Sequence, residues 1–240
     1  MKSRLKAIGR QAWSLFKSGM PSMLMWFCAG AVLMMLTLKE EALAWDGNKL
    51  TWTLVCVLVA SAYGLFIAYA QGGESYEMLV TGNVNRRALD ESGVAYKMSK
   101  YRYEKEYRVW KGFATGAYTA LFTLISVLVV ACNQTEILGG TVSKGTSIAF
   151  FICVLIGGWV ILPIYYLNMS GLTVSFFVGL PFALLPCLFA GGMYIAGAYA
   201  RRAKRLKAEE VERRVREEKE NREKKINYGA LPGTKPRKRK

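Results

Sequence analysis

Hydrophobic and charged positions along this chain are not interspersed; they fall into long separate blocks. Four stretches contain no Asp, Glu, Lys or Arg: Gly19 to Leu38, Leu50 to Gly73, the run from Gly112 that Glu136 ends, and Gly145 to Ala200. A hydrocarbon core of about 30 Å takes roughly 20 apolar residues, and lipid accepts only backbone that is hydrogen-bonded internally. The blocks therefore predict transmembrane helices over 20–38, 50–71, 112–132 and 146–167, with a fifth apolar segment over 172–200. The expected fold class is all-α: a polytopic integral membrane helical bundle with a basic cytoplasmic tail helix. A soluble core does not need four runs of that length.

Charge sets the orientation. Lysine and arginine are retained in cytoplasmic loops. They number five in Met1 to Met20, two in Lys39 to Lys49, eight in Gly72 to Lys111, one in Asn133 to Lys144 and seventeen in Arg201 to Lys240. Placing the N-terminus, the 72–111 loop and the tail together in the cytoplasm puts 30 of the 33 on one side. The expected location is a cytoplasmic membrane of bacterial type with both termini inside.

On that count Ser143 lies outside and Arg201 inside, so the chain between them makes an odd number of crossings. Three full crossings need about 60 residues before any turns, more than this stretch holds. We read 146–167 as crossing inward, the polar break Asn168 to Gly171 as a cytoplasmic turn, and 172–200 as a hairpin that dips in and returns. Pro181 and Pro186 would bend its tip. The alternative for 172–200 is one long kinked helix of about 43 Å, a fifth transmembrane helix.

Outside the blocks, residues 1–19 place Leu5, Ile8, Ala12, Leu15 and Phe16 at helical spacing among Lys6, Arg10 and Lys17. That is an amphipathic basic segment suited to an interface. Lys39, Glu40 and Glu41 follow the first block where a signal peptide would carry small residues. Within the 72–111 loop, the part up to Gly93 is rich in turn residues and reads as irregular. Next, Tyr96, Tyr103, Tyr107 and Trp110 share a helical stripe surrounded by Lys97, Arg102, Lys105 and Arg108. Rings at headgroup depth with snorkelling cations describe a juxtamembrane helix on an anionic leaflet. Stacking on single-stranded nucleic acid uses the same residue types.

Two ridges of small residues four apart, Gly112, Gly116 and Ala120 on the third span and Ala60, Gly64 and Ala68 on the second, would let helices approach closely. The two ridges are candidates to pack together, within one chain or between copies in a homo-oligomer. The segment 201–226 reads as a charged helix, with Glu209 to Arg213, Glu210 to Arg214, Glu212 to Arg216, Glu218 to Arg222 and Glu220 to Lys224 all four apart. Beyond it, 227–240 has no hydrophobic face and reads as a disordered polybasic terminus. Arg201, Arg202, Lys204 and Arg205, with Arg237, Lys238, Arg239 and Lys240, are the candidate contacts to anionic lipid or to an acidic protein or RNA.

The chain has no histidine, which removes the usual base near neutral pH and the commonest metal ligand. Its five cysteines, Cys28, Cys56, Cys132, Cys153 and Cys187, sit one at a time in the apolar blocks with no paired spacing. Met20, Met23, Met25, Met34 and Met35 crowd the first block, but no other block offers matching thioethers for Cu(I). Catalytic, cofactor and metal sites are therefore not expected. The loop acids Glu74, Glu77, Asp90 and Glu91 match neither a carboxylate dyad nor a metal signature. Two functions stay open. One is a non-enzymatic membrane protein whose basic face engages anionic lipid or an acidic or nucleic-acid partner; the other is a small transporter, channel or membrane-insertion factor built on a discontinuous fifth segment.

Overall fold

A computed structural model describes residues 2–38, 47–92, 106–139 and 143–228. Among these, all regular structure is helical. In chain order the helices are α1 (Lys2–Leu38), α2 (Gly47–Ser92), α3 (Val109–Cys132), α4 (Gln134–Gly139), α5 (Lys144–Met169), a 3-10 turn (Phe176–Val178), α6 (Gly179–Ala183) and α7 (Leu185–Tyr228). By length and composition alone, five helices among the described residues are long and apolar enough to cross a membrane: Ile8–Leu36, Thr51–Gly82, Val109–Cys132, Lys144–Met169 and Phe176–Glu223. The chain forms two compact units, Met1–Ala198 and Tyr199–Lys240.

In the first unit large apolar side chains lie outside as well as in a core that includes Trp26, Ile161 and Phe176. Leu58, Phe66, Leu121, Ile148 and Leu188 are each more than half exposed, whereas Ala60, Ala68, Thr119 and Thr123 are buried. Small and hydroxyl residues at helix contacts, with large apolar residues outside, are what lipid as solvent selects. Each ridge of small residues finds its own partner. Gly64 packs on Ser22 and Trp26 of α1, while Gly112 packs on Tyr194, and Gly116 on Pro186, Cys187 and Ala190, all of α7. Ala60, Ala68 and Ala120 are buried beside them. Within the chain the expected pairing of the two ridges is thus replaced by α2 on α1 and α3 on α7, and Gly64, Ala68 and Gly116 border a common void of about 10 Å³.

The fourth apolar helix does not run straight. Gly157 leaves helical geometry at φ −119°, ψ 17°, and the rings of Phe150 and Tyr165 lie 5.5 Å apart. Fifteen residues along a straight helix would separate them by about 22 Å. α5 is therefore a hairpin of two short arms, 144–156 and 158–169. Its ends lie together: Thr146 Oγ1 donates to the Glu136 carboxylate at 2.9 Å, and Ser175, just beyond the second arm, bonds Gln134 at 3.3 Å. Its tip lies against Gly30 of α1 and Thr123 and Ser126 of α3. Trp159 meets Trp26 at 4.4 Å between ring centroids. Each arm of about 12 residues measures roughly 18 Å, well short of a hydrocarbon core.

The polar break after the second arm is a helix stop. Gly171 adopts φ 88°, a left-handed conformation that favours glycine. Its N–H donates to the Asn168 carbonyl and that of Leu172 to the Leu167 carbonyl, which is the Schellman arrangement. The Asn168 side chain then ties the next strand of chain down, donating to the carbonyls of Ile164 and Val174 and accepting from the Val174 N–H.

From there the chain runs one way only. Gly179 packs near Val127, Pro186 and Cys187 against Gly116, Gly191 against Phe113, and Tyr194 against Gly112. Rising numbers on one side meet falling numbers on α3, so the segment passes antiparallel to α3 without reversing. The hairpin expected over 172–200 therefore lies over 144–169, and 172–200 takes its alternative form, a helix. Pro181 and Pro186 fall in the first turns of α6 and α7, where a missing N–H costs nothing. They begin helices instead of bending one.

Three further boundaries differ from expectation. α1 continues through Pro21, so no break separates 1–19 from the first span. α2 remains helical through Gly72 and Gly73 to Ser92, where an irregular loop was expected. The aromatic stripe does not lie on one helix: Glu106 to Arg108 is non-helical, with Arg108 extended at φ −147°, ψ 131°. Tyr96, Lys97, Arg102, Tyr103 and Lys105 lie outside the described residues, as do Arg237, Lys238, Arg239 and Lys240.

The second unit is the charged part of α7. Glu210 and Glu212 hold Arg214 and Arg216 at 2.6 and 3.9 Å as the spacing predicts, but Glu209 turns to Arg205 at 2.9 Å and Arg213 to Glu217 at 3.7 Å. All are exposed pairs, worth at most about 1 kcal/mol each.

Candidate functional site

At the end of the first unit where α1 begins and α2 meets α3, polar groups gather inside the bundle. Residues 106–108, which lead into α3, are docked there by Tyr107, whose N–H donates to the Ser75 carbonyl at 3.0 Å. Its ring stacks on Tyr194 at 5.4 Å and meets Tyr76 edge-on at 6.5 Å. Two residues into α3, Trp110 points outward, about half exposed. One ring of the expected stripe thus serves the core and the next faces out.

Docking the junction carries Lys111 inside. It is only 4% exposed, and its ammonium donates to the Glu106 carbonyl at 2.6 Å. Beside it lies a cavity of about 230 Å³. α1 supplies Ser14 and Ser18 to its wall, α2 supplies Gln71, Glu74 and Ser75, and Thr115 and Tyr194 complete it from α3 and α7. Gln71 is fixed by its amide, which donates to the Ser18 carbonyl at 2.7 Å. The Tyr194 hydroxyl is buried, lies near Ser75 and the Arg108 backbone, and satisfies hydrogen-bond geometry with neither. Buried polar groups left in that condition are uncommon and costly. A second cavity of about 320 Å³ adjoins the first through shared Glu74 and Met78, and is bordered also by Glu77 and Thr81.

Above the cavity, α3 carries an inward line of hydroxyls at Thr115, Thr119, Thr123 and Ser126, all buried. Thr115, Thr123 and Ser126 bond carbonyls of their own helix, which is the ordinary way for hydroxyls to be carried in lipid. The line stops at Val127 and Val130, both fully buried.

Of the residues proposed from sequence as lipid or partner contacts, Arg108 and Trp110 are exposed near this end, and Arg201, Arg202, Lys204 and Arg205 are exposed on the second unit. Lys111, Gln71, Ser18 and Tyr194 were missed. Lys111 was hidden by being the last charge before a charge-free block; Glu74 and Glu77 were seen, but as loop acids, whereas both lie on α2. Among the described residues no three Cys, Asp or Glu side chains gather as metal ligands. The methionines of α1 divide, Met23 buried and Met20 and Met35 exposed. No family model, curated protein or solved structure matches the chain.

Proposed function

We propose that this is a non-enzymatic polytopic membrane protein, inserted with both termini in the cytoplasm, whose basic face engages an anionic leaflet or an acidic partner of that leaflet's chemistry. One observation carries this reading: the start of α1 with Arg10 and Lys17, the α2–α3 junction with Arg108, and α7 around Tyr194 converge on one end of the first unit. That convergence comes from packing, through Tyr118 Oη donating to the Ala12 carbonyl, Gln71 to the Ser18 carbonyl and Tyr107 stacking on Tyr194. It brings Arg10, Lys17 and Arg108, which charge counting assigns to one side, to the same end. Cations beside an anionic surface contribute about 1 kcal/mol each and are screened within a Debye length.

A polarity-sensitive dye at Thr234→Cys, in a background without the five native cysteines, tests it in reconstituted vesicles. The dye should shift to shorter wavelength in vesicles rich in phosphatidylglycerol relative to phosphatidylcholine, and high salt should abolish the difference. Identical spectra in both lipids at low salt would refute the lipid contact.

A second reading, transport or membrane insertion, draws on the polar cavity and the broken α5 at membrane depth. The hydroxyl line that ends at Val127 weighs against a continuous polar path. Solute flux through reconstituted vesicles above the protein-free leak would favour this second reading over the first.

A further inference from the structure

The two adjoining cavities are ordered by charge. The inner one has a buried cation, Lys111, and the orphaned Tyr194 hydroxyl. Gln71, which spends one amide hydrogen on Ser18, and Ser75 add donors from α2. The outer one begins at exposed Glu74 and continues past Glu77 and Thr81. Donors from α2, α3 and α7 on the wall of one cavity suit a tetrahedral oxyanion better than a planar carboxylate, and charge-assisted bonds from them are the strong kind. A solely anionic group would enter past Glu74, against like charge. A simple cation would meet Lys111 at the base.

We infer that this double cavity binds a phosphate ester bearing a primary ammonium, the headgroup chemistry of phosphatidylethanolamine, with the phosphate toward Lys111 and Tyr194 and the ammonium toward Glu74. At about 230 Å³ the inner cavity is smaller than pockets that enclose whole drug-sized ligands, so it takes a headgroup whose chains stay outside. Among the described residues the outer cavity's wall carries two carboxylates, a hydroxyl and a thioether, and no aromatic ring. Quaternary ammonium groups are recognised by aromatic cages, whereas a primary ammonium donates hydrogen bonds to a carboxylate. The assignment does not depend on what the exposed basic surface binds.

The experiment uses the full chain purified in detergent, with retention of added lipids read by native mass spectrometry. Phosphatidylethanolamine should be retained in preference to phosphatidylglycerol and phosphatidylcholine. Glu74→Gln, at an exposed position that leaves the fold alone, should remove that preference, changing the ratio to phosphatidylglycerol by about tenfold, the loss of one charge-assisted bond. Lys111→Met should weaken retention of both. Soluble phosphoethanolamine, titrated separately, distinguishes the sources: binding as tight as the lipid's supports the same chemistry with a free ester as ligand. Equal retention of all three lipids, or a preference that Glu74→Gln leaves unchanged, overturns the inference.

Discussion

Gly30→Leu is expected to expel the α5 hairpin from its seat on α1. A β-carbon at Gly30 would stand 2.5 Å from the Leu155 carbonyl oxygen and 3.1 Å from that of Val154, and backbone oxygens have no rotamer to escape into. Even alanine forces the two backbones apart. A gap of 0.5–1 Å forfeits roughly a quarter to a half of each dispersion contact across it, and the contacts at risk include Trp26 on Trp159. Overpacking typically costs about 1–3 kcal/mol and occasionally more; leucine at a backbone-to-backbone crossing belongs at the top of that range. Steric cost, unlike hydrophobic transfer, is not diminished when the surrounding solvent is lipid. Unfolding in mixed detergent, followed by circular dichroism, should show the midpoint falling in the order wild type, Gly30→Ala, Gly30→Leu. Unchanged midpoints for both would mean that the tip does not rest on Gly30.

Gly72→Val should be comparably damaging for a related reason at the opposite end. A β-carbon there runs into the Tyr194 carbonyl, and one at Gly197 into the Tyr69 carbonyl, so α2 and α7 cross with their backbones touching. Valine adds two branch atoms to a place with no room for one. The loss, again on the order of 1–3 kcal/mol, should be local in its consequences. Tyr194 would move, and with it the stacking on Tyr107 that docks the α2–α3 junction. Trypsin should then cut at Arg108 and Lys111 faster than in the wild type while the hairpin end is unaffected. Equal cleavage rates would show that the crossing does not hold the junction.

Much of the bundle was legible in the sequence because lipid imposes coarse rules. Charge-free blocks marked every apolar helix among the described residues. What the rules could not resolve was how an uncharged run of that length divides. The stretch 146–167 satisfies every length criterion for a span, and nothing in composition separates a straight apolar helix from two apolar arms. The deciding feature is Gly157 with Gly158, whose lack of side chains lets the tip pass against Gly30, Thr123 and Ser126. Prolines drew the bend to the wrong place, since at the first turn of a helix they stabilise a start. A hairpin and a through-running helix do occur between Ser143 and the end of the first unit, but in the reverse order. Similarly, Tyr107 was assigned to a surface helix by periodicity; its hydrogen bond to Ser75 is a tertiary contact that no local pattern encodes.

The reversed order has a direct consequence. If α5 dips in and returns, the turn at Asn168 to Gly171 lies on the same side of the membrane as Ser143, not with the tail. Single cysteines at Ser143, at exposed Thr173 and at Thr234, each in the cysteine-free background, can be challenged in intact cells with a thiol reagent that does not enter. The account predicts that Ser143→Cys and Thr173→Cys react in intact cells and Thr234→Cys only after permeabilisation. Labelling of Thr173→Cys solely after permeabilisation, together with Thr234→Cys, would mean that Lys144–Met169 crosses the bilayer and would contradict it.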